Sequence, residues 1–564
     1  MMDLDSQAAV DSRNLANMGH KQALRRSFGT LSMLSLAFSV LATWSTIAQD
    51  LSSGLVNGGP VVVLWGLVVV AVCNVCVAAS LGELCSSMPT ALGQAYWTAR
   101  LCGWRAGDGA SLVGQLDLGP SSRFAAYVCA WVSTFGWWTL AASQVAFMAD
   151  FILAMRLIFD DSSKHLGPGW LRFLVYVGIT IALTVINLVS CRRAAVLPAI
   201  NNFVGIGCVG LFFVFAMALS IAVATSQGRL SFQPASFVLG RWINATGGWP
   251  DGVVCLLGLV QGAYGLTAFD AVIHMAEEIP APGRYVPRVM CYAVSVSALS
   301  AFVFLAVCLA CVQDLDRLLD PPSGFPFIEL TRSVLGPLAT SILIGLFIFN
   351  NLGQTLCVFT SASRLTWSFA RARGMPFGAY FSHVDPLWNV PARALWLQAA
   401  IVSLVGLLYF FADAVLQAVL SVTTVANTLS CAIPILCLVL AGRDCLPPRE
   451  FDLGPRLGHV ANAISLVYCA VTSVFFFFPT ATRPAPADMN YAIAVLGIML
   501  AVAFAFWFVQ GYSTFMVRPE PVKYADKKSD SDIYDPDMAA DESWGPLTMK
   551  ALGITGTGSV VDKG

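Results

Sequence analysis

Asp270 and His274 stand four residues apart in "GAYGLTAFDAVIHMAEE", residues 262–278, within a run whose composition otherwise suits lipid. On a helix that spacing puts both on one face. An acid enclosed in a low-dielectric medium holds its proton more tightly than in water, and histidine titrates near neutrality, so such a row can pass a proton. The alternative for Asp270 is a neutral, hydrogen-bonded aspartate that fixes helix packing. Glu277 and Glu278 follow one turn later and are expected at the membrane surface, as a lock between loops near Arg284 and Arg288. Glu83, at the inner end of the second apolar stretch, is the third candidate for proton handling beside Asp270 and His274.

Two glycines, Gly262 and Gly265, precede Asp270. Each weakens a helix by up to about 1 kcal/mol relative to alanine, and broken helices occur in membranes where backbone lines a cavity. A second interruption lies in "LAFSVLATWSTIAQDLSSGLVNGGP", residues 36–60, where Thr43, Trp44, Ser45, Thr46, Gln49 and Asp50 replace a clean apolar run. Carbonyls freed at a break can coordinate an ammonium group, and a half-helix N-terminus can take a carboxylate. Thr43, Trp44, Ser45, Tyr264, Gly265 and Asp270 are therefore the candidate substrate-binding residues. Trp44 and Tyr264 either close over an amine, where a cation–π contact is worth about 0.5–2 kcal/mol, or pack between helices.

Other chemistries find little support. Cys73/Cys76 and Cys308/Cys311 have C-x-x-C spacing but sit in apolar runs without histidine or acidic partners, which favours packing over metal. No close nucleophile, base and orienting residue suggests an enzyme, and no cofactor is called for. A net charge of −1 with dispersed basic residues leaves no nucleic-acid footprint.

The elements that must position these residues are membrane helices. The chain is 57% hydrophobic and 12% charged, with a mean hydropathy of +0.72. Twelve stretches, from 33–57 to 491–513, are long enough for a span of about 20 residues, and the two interruptions fall in the first (33–57) and sixth (251–278). An even count puts both termini on one side. Placing them inside leaves 24 of the 32 Lys and Arg residues inside, so both tails are expected in the cytoplasm. Asn244-Ala245-Thr246, an N-glycosylation sequon, then falls in an outer loop. The expected organisation is a cytoplasmic tail over 1–30 without a cleavable signal, a membrane domain over 31–516, and a disordered cytoplasmic tail over 517–564, whose residues from 519 on carry nine acids against five lysines.

Paired broken spans point to a transporter with inverted repeats. Across residues 30–515 the chain resembles the eukaryotic amino acid/choline transporter group of the amino acid-polyamine-organocation superfamily, typified by fungal choline and GABA permeases. The resemblance rests on "NGGPVVVLWG" (57–66), "GELCSSMPTALGQAYW" (82–97), "FDAVIHMAEE" (269–278), "SRLTWSFARARGMPF" (363–377), "FPT" (478–480) and "MNYA" (489–492). The chain departs from the group at Leu92, where glycine is frequent, at Ala372, where an acid is frequent, and at Ala42 to Ser45, where relatives often break the helix with glycine.

The resemblance implies an all-α integral membrane fold of twelve transmembrane helices, ten in the leucine-transporter-like arrangement of two inverted five-helix repeats plus two extra helices. It further implies alternating access around spans 1 and 6, and a substrate among amino acids, GABA, choline and polyamines. Tyr264 matches the position of an aromatic gate, and Asp270 that of an acid implicated in gating. Stretch 197–224 contains no charged residue, so the lysine that replaces sodium in some superfamily members is missing. The expected function is proton symport by a permease of the plasma membrane, with a non-transporting nutrient receptor of the same fold as the alternative.

Overall fold

The computed structural model describes residues 4–517, apart from residues 21, 25, 27–28, 105–117, 160–165, 194, 386–387, 389, 411–414, 480 and 485–488. The C-terminal tail beyond residue 517 and Thr480 of the Phe-Pro-Thr motif lie outside the described residues. Among those described, the protein is all-helical, with isolated bridges in place of strands.

Two short helices open the chain, α1 (Leu4–Asn17) and α2 (Thr30–Leu41), followed by α3 (Thr43–Gln49) and α4 (Leu51–Val56). Among the described residues, ten helices are long and apolar enough to cross a membrane. They are α5 (Gly59–Ser87), α7 (Pro120–Ile158), α8 (Gly169–Cys191), α9 (Val196–Ala224), α12 (Pro282–Ala310), α13 (Pro326–Arg371), α14 (Ala392–Phe410), the Ser421–Ala441 part of α15 (Val415–Ala441), α16 (Gly454–Phe475) and α17 (Ala492–Thr514). Between them lie α6 (Gln94–Gly103), α10 (Asp251–Gly265) and α11 (Ala271–His274). Among the described residues, the apolar stretches 33–57 and 251–278 are interrupted, and α13 is kinked near its start at Gly336 (φ 78°, ψ 169°).

The first break is a single residue. Ala42 adopts left-handed geometry (φ 35°, ψ 42°) between α2 and α3, a conformation that costs an L-residue roughly 1–2 kcal/mol. The following turn compensates it: the Ala42 carbonyl accepts from the Ser45 hydroxyl at 2.9 Å and the Thr46 hydroxyl at 3.3 Å, besides the Ser45 and Thr46 amides. Hydroxyls that compete for backbone carbonyls thus make the break that glycine would otherwise make. In the other stretch α10 stops at Gly265, residues 266–270 leave the helix with Ala268 at φ 71°, and one turn, α11, resumes before Pro282 starts α12.

The two interrupted segments pack together. A Cβ on Gly265 would lie 2.5 Å from Cγ1 of Ile47 and 3.3 Å from Cγ2 of Thr43, so this glycine is what lets α10 approach α3. Gln261 Nε2 seals the contact by donating to the Ile47 carbonyl at 3.2 Å. Around them α7 is the central post: 78% of its apolar window is buried, against 22% for α9 on the periphery. Helix α7 packs most extensively on α15, and α5 on α12. Small residues such as Gly136, whose Cβ would meet Asn427 of α15 at 2.6 Å, permit such close approach.

Candidate functional site

The interrupted segments meet α7 and α13 in a buried polar cluster. The Tyr264 hydroxyl, at the end of α10, lies 2.8 Å from the Ser143 hydroxyl and accepts from Gln144 Nε2 at 3.2 Å, both on α7. On the other side the Ser45 hydroxyl stands 3.3 Å from Asn351 Oδ1 and 3.2 Å from Gln354 Oε1 of α13, and Gln49 Nε2 donates to Asn351 Oδ1 at 2.7 Å. Asp50 is buried just beyond, accepting from the Ser53 hydroxyl at 2.6 Å. Thr43 Oγ1, Gln49 Oε1 and Gln354 Nε2 are enclosed with no partner. Buried polar atoms are usually paired, so acceptors and donors left free between two helix breaks are what an amine-bearing solute would use.

Trp44 faces elsewhere. Its indole is ringed by Phe304, Phe347, Phe215 and Phe212 at centroid distances of 4.7, 6.0, 6.2 and 6.3 Å, and Nε1 donates to Cys208 Sγ at 3.1 Å. These contacts belong to interhelical packing.

Asp270 and His274 come together as their spacing suggests. His274 Nε2 stands 3.3 Å from Asp270 Oδ2, without the alignment of a full hydrogen bond. Both residues are buried. The other ring nitrogen, Nδ1, faces the Ala91 carbonyl at 3.0 Å. A carbonyl can only accept, so Nδ1 carries a hydrogen and Nε2 is left to meet the carboxylate. An ionised Asp270 against a bare Nε2 would set lone pair against lone pair, whereas one added proton makes the contact attractive. Gln94 Nε2 donates to the same Oδ2 at 2.5 Å, and the Trp137 ring meets the imidazole edge-on at 5.4 Å. The turn carrying Ala91 and the start of α6 at Gln94 reach this depth through Gly93, at φ 49°, where a Cβ would lie 2.7 Å from Ile273.

The remaining acids are tied to arginines. Glu277 and Glu278 were expected at the surface near Arg284 and Arg288. Instead both are buried, and their partners come from α13: Arg371 Nη1 donates to Glu277 Oε2 at 2.9 Å and Arg364 Nε to Glu278 Oε1 at 2.9 Å. Arg284 pairs with exposed Glu450 at 3.6 Å. The sequence missed this because Arg364 and Arg371 reach them only by packing of α13. Glu83 is fully buried between Arg443, at 2.5 Å from Oε1, and Arg449, whose Nε lies 2.9 Å from Oε1.

The N-terminal segment completes this face. Asp11 Oδ2 accepts from the Ala281 amide at 2.9 Å and pairs with Arg26 at 3.1 Å, Gln22 Nε2 donates to the Glu277 carbonyl at 2.7 Å, and the Tyr96 hydroxyl of α6 donates to the Met18 carbonyl at 3.3 Å. His20 is partly buried, with Nε2 enclosed and unpartnered. Burial, reinforced by Arg371 and Arg100, holds it well below the usual histidine value. Across the bundle, exposed Asn244 donates its amide to the Trp249 carbonyl and to Asp251 Oδ1, each at 3.0 Å.

A family model described as amino acid permease matches residues 28–501. The choline transporter of Saccharomyces cerevisiae is 28% identical over 92% of this chain and 86% of its own length. The GABA-specific permease of the same yeast is 26% identical over 86% of this chain and 81% of its own.

Proposed function

The chain belongs to the amino acid permease family, a multi-pass membrane protein that carries amino acids or related amines, and from that premise we propose that it is a secondary active permease working by proton symport at the plasma membrane. Its architecture in this reading is twelve spans: the ten long apolar helices plus the interrupted segments 33–57 and 251–278 as spans 1 and 6. Ten of the twelve form two inverted five-helix repeats, and two helices are added. The Lys and Arg distribution puts both termini in the cytoplasm.

The substrate sits between the breaks. Thr43 and Ser45 on α3, with Tyr264 and Asp270 bounding the break in the other segment, face it. Gly265 permits the approach that closes the site, and Trp44 packs on the far side of α3, away from it. The relatives named for choline and GABA bring a quaternary amine or a small zwitterion into range. Asp270 and His274 carry the coupling proton, because their contact is attractive with one shared proton and unfavourable without it. Glu83, held by two arginines, serves this scheme as an ion-pair lock at the inner end of α5 rather than as the first proton carrier.

The observation that carries the reading is the pairing of two helix interruptions, at Ala42 and at residues 266–270, around enclosed polar atoms without partners. It is tested by offering labelled GABA, choline, polyamines and amino acids to a transport-deficient cell that expresses the protein. Accumulation of one of these above the untransformed cell is expected. Binding without accumulation would make the protein a receptor.

A further inference from the structure

Near the end of α6, Cys102 Sγ lies 3.1 Å from Sγ of Cys437 on α15. A disulfide bond is about 2.05 Å long, so the two sulfurs need approach by only about 1 Å to be joined. The two thiols differ in access: Cys102 is exposed and Cys437 is buried at 8%. The hydrogen bond from Cys437 pulls the Cys102 thiol below the ordinary cysteine value, against the opposing effect of partial burial. An accessible, acidified thiol backed by a second thiol in contact is the arrangement of an attacking and a resolving cysteine.

We infer that Cys102 and Cys437 form a redox-modification site that takes a peroxide as its oxidant and closes to an intramolecular disulfide. The Cys102 thiolate attacks the peroxide O–O bond, giving the sulfenic acid and, from hydrogen peroxide, hydroxide. The Cys437 sulfur then attacks the sulfenic sulfur, and the oxygen leaves as water with the Cys437 proton. Two electrons pass from the sulfur pair to the peroxide. Helix α6 shares its face with the N-terminal segment, so on the cytoplasmic assignment of that face the glutathione pool reopens the bond by thiol–disulfide exchange.

The bond would act on the site through α6. This helix begins at Gln94, which holds Asp270, and carries Tyr96, which holds the Met18 carbonyl. Joining its far end to α15 fixes the element that positions the acid, without touching the substrate cluster.

The test uses the full chain in liposomes, exposed to hydrogen peroxide, alkylated with N-ethylmaleimide, digested and read by peptide mass. A cross-linked peptide pair containing Cys102 and Cys437 is expected, absent without peroxide and lost again on treatment with reduced glutathione. In Cys437→Ser the pair is lost, and a sulfenic acid trappable by dimedone accumulates on Cys102. Direct oxidation of Cys102 to the sulfinic acid in the parent protein without a cross-link would overturn the inference. So would a cross-link from Cys102 to any of the other cysteines.

Discussion

Gln94 Nε2 donates to Asp270 Oδ2 at 2.5 Å across 176 residues of chain. The first residue of α6 thereby fixes the orientation of the acid at the break before α11. The neighbours of the Asp270–His274 pair are otherwise weakly polar. Among the described residues they include the Ala91 carbonyl, the Trp137 edge on α7 and Cys431 on α15, with Glu277 one turn on and neutralised by Arg371.

Replacing Gln94 should therefore impair uptake. Gln94→Leu removes the donor that orients the Asp270 carboxyl and is expected to lower the rate of uptake about tenfold or more, since a hydrogen bond to a carboxylate is worth about 1.5–3 kcal/mol. Gln94→Glu, which places a like charge against Asp270, is expected to be at least as damaging, and Gln94→Asn to be intermediate. Uptake by Gln94→Leu at the parent rate would reduce Gln94 to a packing role.

Trp44→Ala should cost about 3–5 kcal/mol of stability, because it empties a site among four phenylalanines, and should lower surface expression accordingly. Trp44→Phe is expected to recover most of it. The apparent substrate affinity of the protein that does reach the membrane should be close to that of the parent. A selective loss of affinity at normal stability would return Trp44 to the binding site.

The contrast between these residues shows what the sequence could carry. The breaks were legible because hydroxyls and glycines interrupt apolar runs, and the Asp270–His274 contact because i, i+4 spacing is local. The orientation of Trp44 was not, since both of its roles put an indole in the same place in the chain. Ser143, Gln144, Asn351 and Gln354 were overlooked although each is a polar residue inside an apolar helix, a signal available in "AASQVAF" and "FNNLGQT". The arginines that hold Glu277 and Glu278 could not be assigned before α13 was placed beside them. The N-terminal segment, read as a plain tail, is anchored by single bonds from Asp11 and Gln22 to distant backbone, which no periodicity announces.

That segment should respond to pH. Docked His20 has a lowered pKa, so the undocked form binds the extra proton as pH falls below about 6.5. Docking is fully supported above that value and weakens below it, as the charged ring meets Arg371 and Arg100. The protection of the amides of residues 4–17 against exchange, taken relative to the intrinsic rate at each pH, is expected to fall between about pH 6.5 and 5 in detergent, and His20→Gln should abolish the change. Protection that stays constant over this window in the parent would remove His20 from the docking.

Glu83 provides a discriminating variant. Glu83→Gln removes the charge that faces Arg443 and Arg449, and breaking a buried ion pair costs about 3–5 kcal/mol. Lower thermal stability is expected, with the pH dependence of uptake retained in the protein that folds. A stable Glu83→Gln protein with uptake independent of pH would make Glu83 a proton carrier.

The most direct test of proton symport through Asp270 is accumulation of a labelled transported amine in proteoliposomes against an imposed pH gradient, in the parent protein and in Asp270→Asn. Asparagine keeps the volume and can still bond Gln94, but it cannot take or release the proton. The parent should concentrate the amine inside when the outside is acidic, while Asp270→Asn should exchange label across the membrane without concentrating it. An Asp270→Asn protein that concentrates the amine as the parent does would contradict the assignment.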